Sequence, residues 1–153
     1  MELIAKSLGV FAANCFILRT AREAVVIDPG GNPEIILPEI GSRTLRYVIN
    51  THGHYDHIAA NNALKAHYDT RLAVSEEDHR MIMNPQLNLS VMVDAPFISV
   101  PPDLILHEDD VLPFEEAEIR VMHTPGHTEG SICLLLGDTL FSGDTLFRFS
   151  VGR

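Results

Sequence analysis

Seven consecutive residues, Thr51-His52-Gly53-His54-Tyr55-Asp56-His57, carry three imidazoles and a carboxylate directly after the apolar run LRYVIN (Leu45 to Asn50). In an extended segment, residues two apart point to the same side, so His52 and His54 can reach one point beyond the strand end. Asp56 and His57 fall where the chain is expected to turn into a helix beginning near Ile58, which aims them at a second, adjacent point. Packing gives no reason for the cluster, because partly buried imidazoles repel one another when protonated and cost desolvation energy otherwise. A cation between them does give a reason. Imidazole is the commonest metal-ligand side chain, and imidazole with carboxylate suits zinc, iron or manganese. No cysteine lies in the cluster, which argues against a closed structural zinc site.

Two later segments supply further donors. HTPGHT (His123 to Thr128) places His127 behind a Pro-Gly turn, and FSGDTLF places Asp144 behind a strand and a glycine. A carboxylate has two oxygens, so Asp144 could bridge two metals. His123 is read as a residue that supports the ligands from outside, or as purely structural. His67, His79 and His107 stand alone and are read as surface or hydrogen-bonded histidines.

The elements that must position these residues follow from period and punctuation. Strands are expected at Leu3–Gly9, Asn14–Thr20 and Glu23–Ile27, the last ending at the turn DPGG (Asp28 to Gly31). Pro33 suits a helix start, and Pro38 should kink or shorten that helix. After LRYVIN and the histidine cluster, a helix is expected over about Ile58–Tyr68, then a short strand RLAVS and a helix-like EEDHRMIM. Asn84–Pro102 contains four prolines and no clean period, so it reads as a long, partly irregular insertion. Strands EIRVMHT, SICLLL and TLFS close the chain, the last two joined by a Gly-Asp hairpin turn. The order predicts an α/β (α+β) arrangement in which helices cover a sheet.

The bulk numbers bound the function. A chain of 153 residues, 46% hydrophobic, suits one domain over residues 1–153 with a real core. No apolar run approaches the roughly 20 residues of a membrane span, and the N-terminal segment does not read as a secretory signal. The expected compartment is the cytoplasm, with no membrane partner. The formal charge of −10 disfavours a phosphate backbone, so no nucleic acid is expected and a nuclease ranks low. Cys15 and Cys133 sit in apolar runs and read as buried free thiols.

Taken together, THGHYDH, HTPGHT and SGDTLF, in that order, resemble the metallo-β-lactamase fold superfamily. Within it they look most like the glyoxalase II (hydroxyacylglutathione hydrolase) branch, to which DPGG and NPQLNLS are also similar. The resemblance implies a four-layer αββα sandwich. It implies one metal held by His52, His54 and His127, and a second held by Asp56 and His57, with Asp144 between them. Asp28 matches a position that supports the site from behind the ligands, and Arg153 matches one that contacts anionic substrate. The implied cofactor is zinc, as one or two divalent ions, with iron or manganese as alternatives.

The implied activity is hydrolysis of a small-molecule thioester such as S-lactoylglutathione by a metal-activated hydroxide, with Asp56 as the catalytic residue that orients it. A runner-up is an iron-dependent oxidoreductase resembling the persulfide dioxygenases, and a third reading is a non-catalytic metal-binding fragment. A β-lactam substrate fits the fold, which does not settle function. Relatives of this kind continue past Val151-Gly152-Arg153 and add a late histidine to the second metal. The chain is therefore expected to be C-terminally truncated, with the second half of the sandwich incomplete and the second metal site weak. An exposed sheet edge near SICLLL and TLFS is expected to favour a homodimer.

Overall fold

The layering follows from the alternation of side chains along each strand. In the strand Glu23–Ile27, Ala24 and Val26 face one way, Val25 and Ile27 the other, and all four are fully buried. A sheet covered on both faces needs such continuous apolar runs. The computed structural model describes residues 1–152. Its elements are β1 (Glu2–Leu8), β2 (Ala13–Arg19), β3 (Glu23–Ile27), α1 (Pro33–Ile40), β4 (Thr44–Ile49), α2 (Tyr55–Ile58), α3 (Asn61–His67) and β5 (Arg71–Ser75). These are followed by β6 (Leu104–Leu106), β7 (Val111–Phe114), β8 (Ala117–His123), β9 (Ile132–Leu136), β10 (Thr139–Phe141), β11 (Leu146–Phe147) and β12 (Ser150–Val151).

One sheet has the order β1-β2-β3-β4-β5-β6, antiparallel as far as β3 and parallel from β3 to β6. The second, β10-β9-β8-β7, is antiparallel throughout, and β11 pairs with β12 alone. Ile36 and Ile40 of α1, Ile58 of α2 and Leu64 of α3 pack on Cys15, Ile17, Ala24, Val26 and Val48 of the first sheet. The opposite face, carrying Leu18, Val25, Ile27, Tyr47 and Ile49, packs on Ile119, Val121, Leu134, Leu136 and Phe141 of the second sheet. This is a mixed α/β fold, with helices, sheet and sheet as three stacked layers. On the far side of the second sheet, Val111, Met122 and Leu140 are exposed.

Strand β4 contains an irregularity that sets the phase of everything after it. Ala24 pairs with Leu45 but Val25 pairs with Tyr47, which leaves Arg46 as an extra residue. Leu45 accordingly faces the helices, while Tyr47, two positions later, faces the other sheet.

Three expectations are corrected. The helix after the histidine cluster begins at Tyr55, so Asp56 and His57 lie on its first turn rather than ahead of it. It stops early because the Ala60 N–H donates to Pro29 O at 2.8 Å, and the helix restarts at Asn61. The segment EEDHRMIM forms turns, with Met81 N and Ile82 N both directed at Asp78 O. Two further strands, β6 and β7, lie where none was expected. β7 carries Pro113 on an edge strand, where a missing N–H is tolerated. Among the described residues no helix is long and apolar enough to cross a membrane.

Candidate metal centre

Parallel strands deliver loops to their carboxyl ends, where ligand sites of α/β sheets form. β3 releases Asp28 there, and β4 releases Asn50 to His57. Asp28 adopts a left-handed backbone conformation with φ 53° and is fully buried. Its Oδ1 accepts the Thr51 N–H at 2.7 Å and its Oδ2 accepts the Thr51 hydroxyl at 2.7 Å. The same Oδ2 lies 2.9 Å from His57 Nδ1. Asn50 Nδ2 donates to His57 O at 3.1 Å. One carboxylate thus fixes both ends of the THGHYDH segment.

The rings of His52, His54 and His127 pack edge to face. Centroid separations are 4.8 Å for His52–His54, 4.8 Å for His52–His127 and 4.7 Å for His54–His127. His54 Nδ1 and His127 Nε2 stand 2.9 Å apart. Donor atoms of these three residues lie within 4.8 Å of one another, and so do those of a second trio, His52, His57 and Asp144. His52 belongs to both groups. The Asp144 carboxylate lies across them: Oδ1 is 3.3 Å from His57 Nε2, and Oδ2 is 3.5 Å from His127 Nε2. Asp56 belongs to neither trio, although its Oδ2 is 3.7 Å from His57 Nε2.

Electrostatics separate the imidazoles. Burial, then the neighbouring His57, His54 and His127, holds His52 well below the ordinary histidine range. Burial and His127 lower His54 as well. At His57 burial also works against the charged form, but the carboxylates of Asp28, Asp144 and Asp56 outweigh it and raise the pKa to about 10. Burial opposes ionisation of Asp144, yet the hydrogen bond and charge of His57 hold its carboxyl low. His52 Nε2 is buried and finds no hydrogen-bond partner, a state that costs about 1–3 kcal/mol for a neutral group. A neutral imidazole with a bare lone pair beside two others and a bridging carboxylate is the donor set of a divalent metal. The residues fit that role.

Asp78 was missed in the sequence because it sits inside a segment read as helix. It is fully buried, and Oδ2 accepts the Gly53 N–H at 2.8 Å and the Thr128 hydroxyl at 2.7 Å, while Oδ1 accepts the Gly130 N–H at 3.0 Å. Gly53 separates His52 from His54, and Thr128 follows His127, so Asp78 ties the two histidine-bearing loops together. Gly143 precedes Asp144 with φ +47°, and a Cβ there would collide with the Thr51 side chain. His123 is not brought to the centre. Its Nε2 pairs with Glu129 O at 3.0 Å, and it lines a separate cavity with Glu77, Leu106 and Glu108. Arg153 lies outside the described residues.

The model of the metallo-beta-lactamase superfamily matches residues 8–153. The hydroxyacylglutathione hydrolase GloC of Haemophilus influenzae is 29% identical to this chain, over 94% of it and 71% of the relative. Among solved structures, the BLEG-1 B3 metallo-beta-lactamase superposes with a TM-score of 0.92 at 30% identity, covering 99% of this chain and 76% of that one. TTHA1623 in a di-iron-bound form gives a TM-score of 0.82 at 28% identity, over 98% and 76% of the respective chains.

Proposed function

Because the chain belongs to the metallo-β-lactamase superfamily, we propose that this metallo-hydrolase cleaves a thioester such as S-lactoylglutathione. The observation that carries the reading is the pair of donor groups sharing His52, with the two oxygens of Asp144 turned to opposite sides. His52, His54 and His127 would hold one metal. His57 and Asp144, with Asp56 beside them, would hold a second. Zinc is the metal we infer from the nitrogen-rich set, and similarity to a hydroxyacylglutathione hydrolase supports the thioester.

When bound, a divalent metal would supply Lewis acidity and lower the pKa of water to about 7. The rest of the chemistry belongs to side chains. Asp56 opens into the cavity beside His54 and His127, where its carboxylate can accept a water proton and orient the attacking oxygen. Asp28 engages His57 Nδ1, which turns Nε2 toward Asp144 and fixes the ring. A thiolate leaves without protonation, so no general acid is required.

A second reading, an iron-dependent oxidoreductase, draws support from similarity to a protein crystallised in a di-iron-bound form. Elemental analysis of protein purified without added metal, paired with an S-lactoylglutathione assay, separates the two. Zinc with thioester cleavage supports hydrolysis; iron with oxygen consumption supports the alternative. If hydrolysis persisted undiminished in metal-stripped His54→Ala protein, the first reading would be wrong.

A further inference from the structure

A cavity of about 480 Å³ opens directly over His54, His127 and Asp144. Its wall away from that floor is apolar and comes from two unrelated segments. Phe11, on the β1–β2 turn, is 61% exposed; Leu89 and Met92, on the insertion, are 43% and 76% exposed. Large apolar side chains left in water beside a polar floor mark a ligand surface.

The insertion holds its part of the wall rigidly. Asn88 is fully buried, with Nδ2 donating to Phe97 O at 2.9 Å and Oδ1 accepting the Ser90 N–H at 3.0 Å. The Asn88 carbonyl in turn accepts the Tyr55 N–H at 2.8 Å, which ties the platform to the first turn of α2. Between these anchors Leu89 sits at φ 66°, a left-handed conformation that L residues rarely adopt. Such strain persists only where the surroundings over-determine it. The result is a pre-ordered apolar shelf facing the histidines.

Charge sharpens the choice of ligand. Among the described residues lining this cavity, the ionisable side chains besides Tyr55 are two carboxylates and two imidazoles, and no lysine or arginine is present. No cationic side chain among these lining residues meets an anionic tail, and the whole chain carries a formal charge of −10. We infer that the cavity seats the apolar acyl arm of a thioester against Phe11, Leu89 and Met92, with the carbonyl directed to the floor of His54, His127 and Asp144. This deepens the hydrolase reading and rests on it for the direction of the carbonyl. Within the thioester class, it makes affinity rise with the length of the apolar arm placed against Phe11, Leu89 and Met92.

The test reads binding, so its outcome is independent of turnover. S-methyl and S-hexyl thioethers of N-acetylcysteamine, which cannot be hydrolysed, are titrated by calorimetry into zinc-loaded protein. Partial burial of each added methylene is worth about two- to fourfold in affinity, so the S-hexyl compound, longer by five methylenes, should bind at least about thirtyfold tighter than the S-methyl one. The Phe11→Ser/Met92→Ser variant, with both changes at exposed positions that leave the core intact, should bring that ratio to within about twofold while its circular dichroism is unchanged. Equal or undetectable binding of both thioethers to the parent protein overturns the inference, and so does a ratio that survives in the double variant. Loss of thioester turnover in the assay above would remove the hydrolase reading without altering this binding ratio.

Discussion

Replacing Asp78 by asparagine keeps the shape of the side chain and removes one acceptor position from a buried hub. The carboxylate accepts hydrogen bonds from Gly53 N, Thr128 Oγ1 and Gly130 N at 2.8, 2.7 and 3.0 Å. In the variant, the best orientation keeps oxygen on Gly53 and Thr128 and turns the amide NH₂ against the Gly130 N–H. Two donors then face each other without water. A buried unsatisfied donor costs about 1–3 kcal/mol, and the two surviving bonds lose the roughly 1 kcal/mol each that separates charged from neutral acceptors. The total is about 3–5 kcal/mol, which for a chain of this size lowers Tm by roughly 10 °C or more.

The same substitution should act on metal affinity. Gly53 and Thr128 flank the histidines of both loops, so a shift of either loop separates His54 from His127. Loss of partners behind metal ligands typically weakens binding about 10–100-fold. Thermal melts of metal-free protein give the first quantity, and zinc titration against a chromogenic chelator gives the second. Thr128→Val removes the 2.7 Å hydroxyl bond to Asp78 and the 2.8 Å contact with Ser131 Oγ but leaves the carboxylate and its other partners in place, so it should show the same two effects at smaller size. If Asp78→Asn melts within about 2 °C of the parent and binds zinc equally well, the idea that this carboxylate sets the spacing of the loops is refuted.

His54→Ala removes one of three donors and should cut zinc stoichiometry at the nitrogen-rich group, read by elemental analysis after dialysis; unchanged metal content would remove His54 from the ligand set. In metal-free protein, His57 keeps its proton up to about pH 10 folded but releases it near 6.5 unfolded. Between those values the folded state binds more protons, so stability is full below 6.5 and falls as pH rises. The urea midpoint should therefore drop from pH 6 to pH 9, and His57→Gln should flatten that drop; an equal drop in the variant refutes the assignment. Gly143→Ala forces a Cβ onto Thr51 at φ +47° and should lower stability by about 1–3 kcal/mol while displacing Asp144. A melt within a degree of the parent would contradict it.

How much of this was readable without coordinates depends on whether the signal was local. The alternation of Ala24, Val25, Val26 and Ile27 announces a sheet buried on both faces, because each residue's environment repeats along the strand. Proline and glycine punctuation placed the DPGG turn and the start of α1. The start of α2 was misplaced because its first N–H, at Tyr55, bonds Asn88 O, thirty-three positions away. EEDHRMIM has helical composition, but its aspartate is engaged by Gly53, Thr128 and Gly130 and the backbone follows those partners. The phase change at Arg46 could not be placed from LRYVIN, since Tyr47, Val48 and Ile49 are apolar at consecutive positions and fit either register.

The site was more legible than the scaffold for an energetic reason. A metal-binding cluster must gather groups that otherwise oppose folding, and that opposition is visible as an excess of histidine and aspartate with no packing role. In the folded chain the opposition is concrete: His52 Nε2 has no partner, and burial depresses His52 and His54. What the sequence could not display is the counterweight. Asp28 holds Thr51 and His57 through 2.7–2.9 Å contacts, and Asp78 holds the other loop, each by a carboxylate whose chemistry is ordinary until its partners are known. The clustered donor residues can be read from the chain because they are mutually unfavourable; the residues that restrain them cannot, because individually they are not.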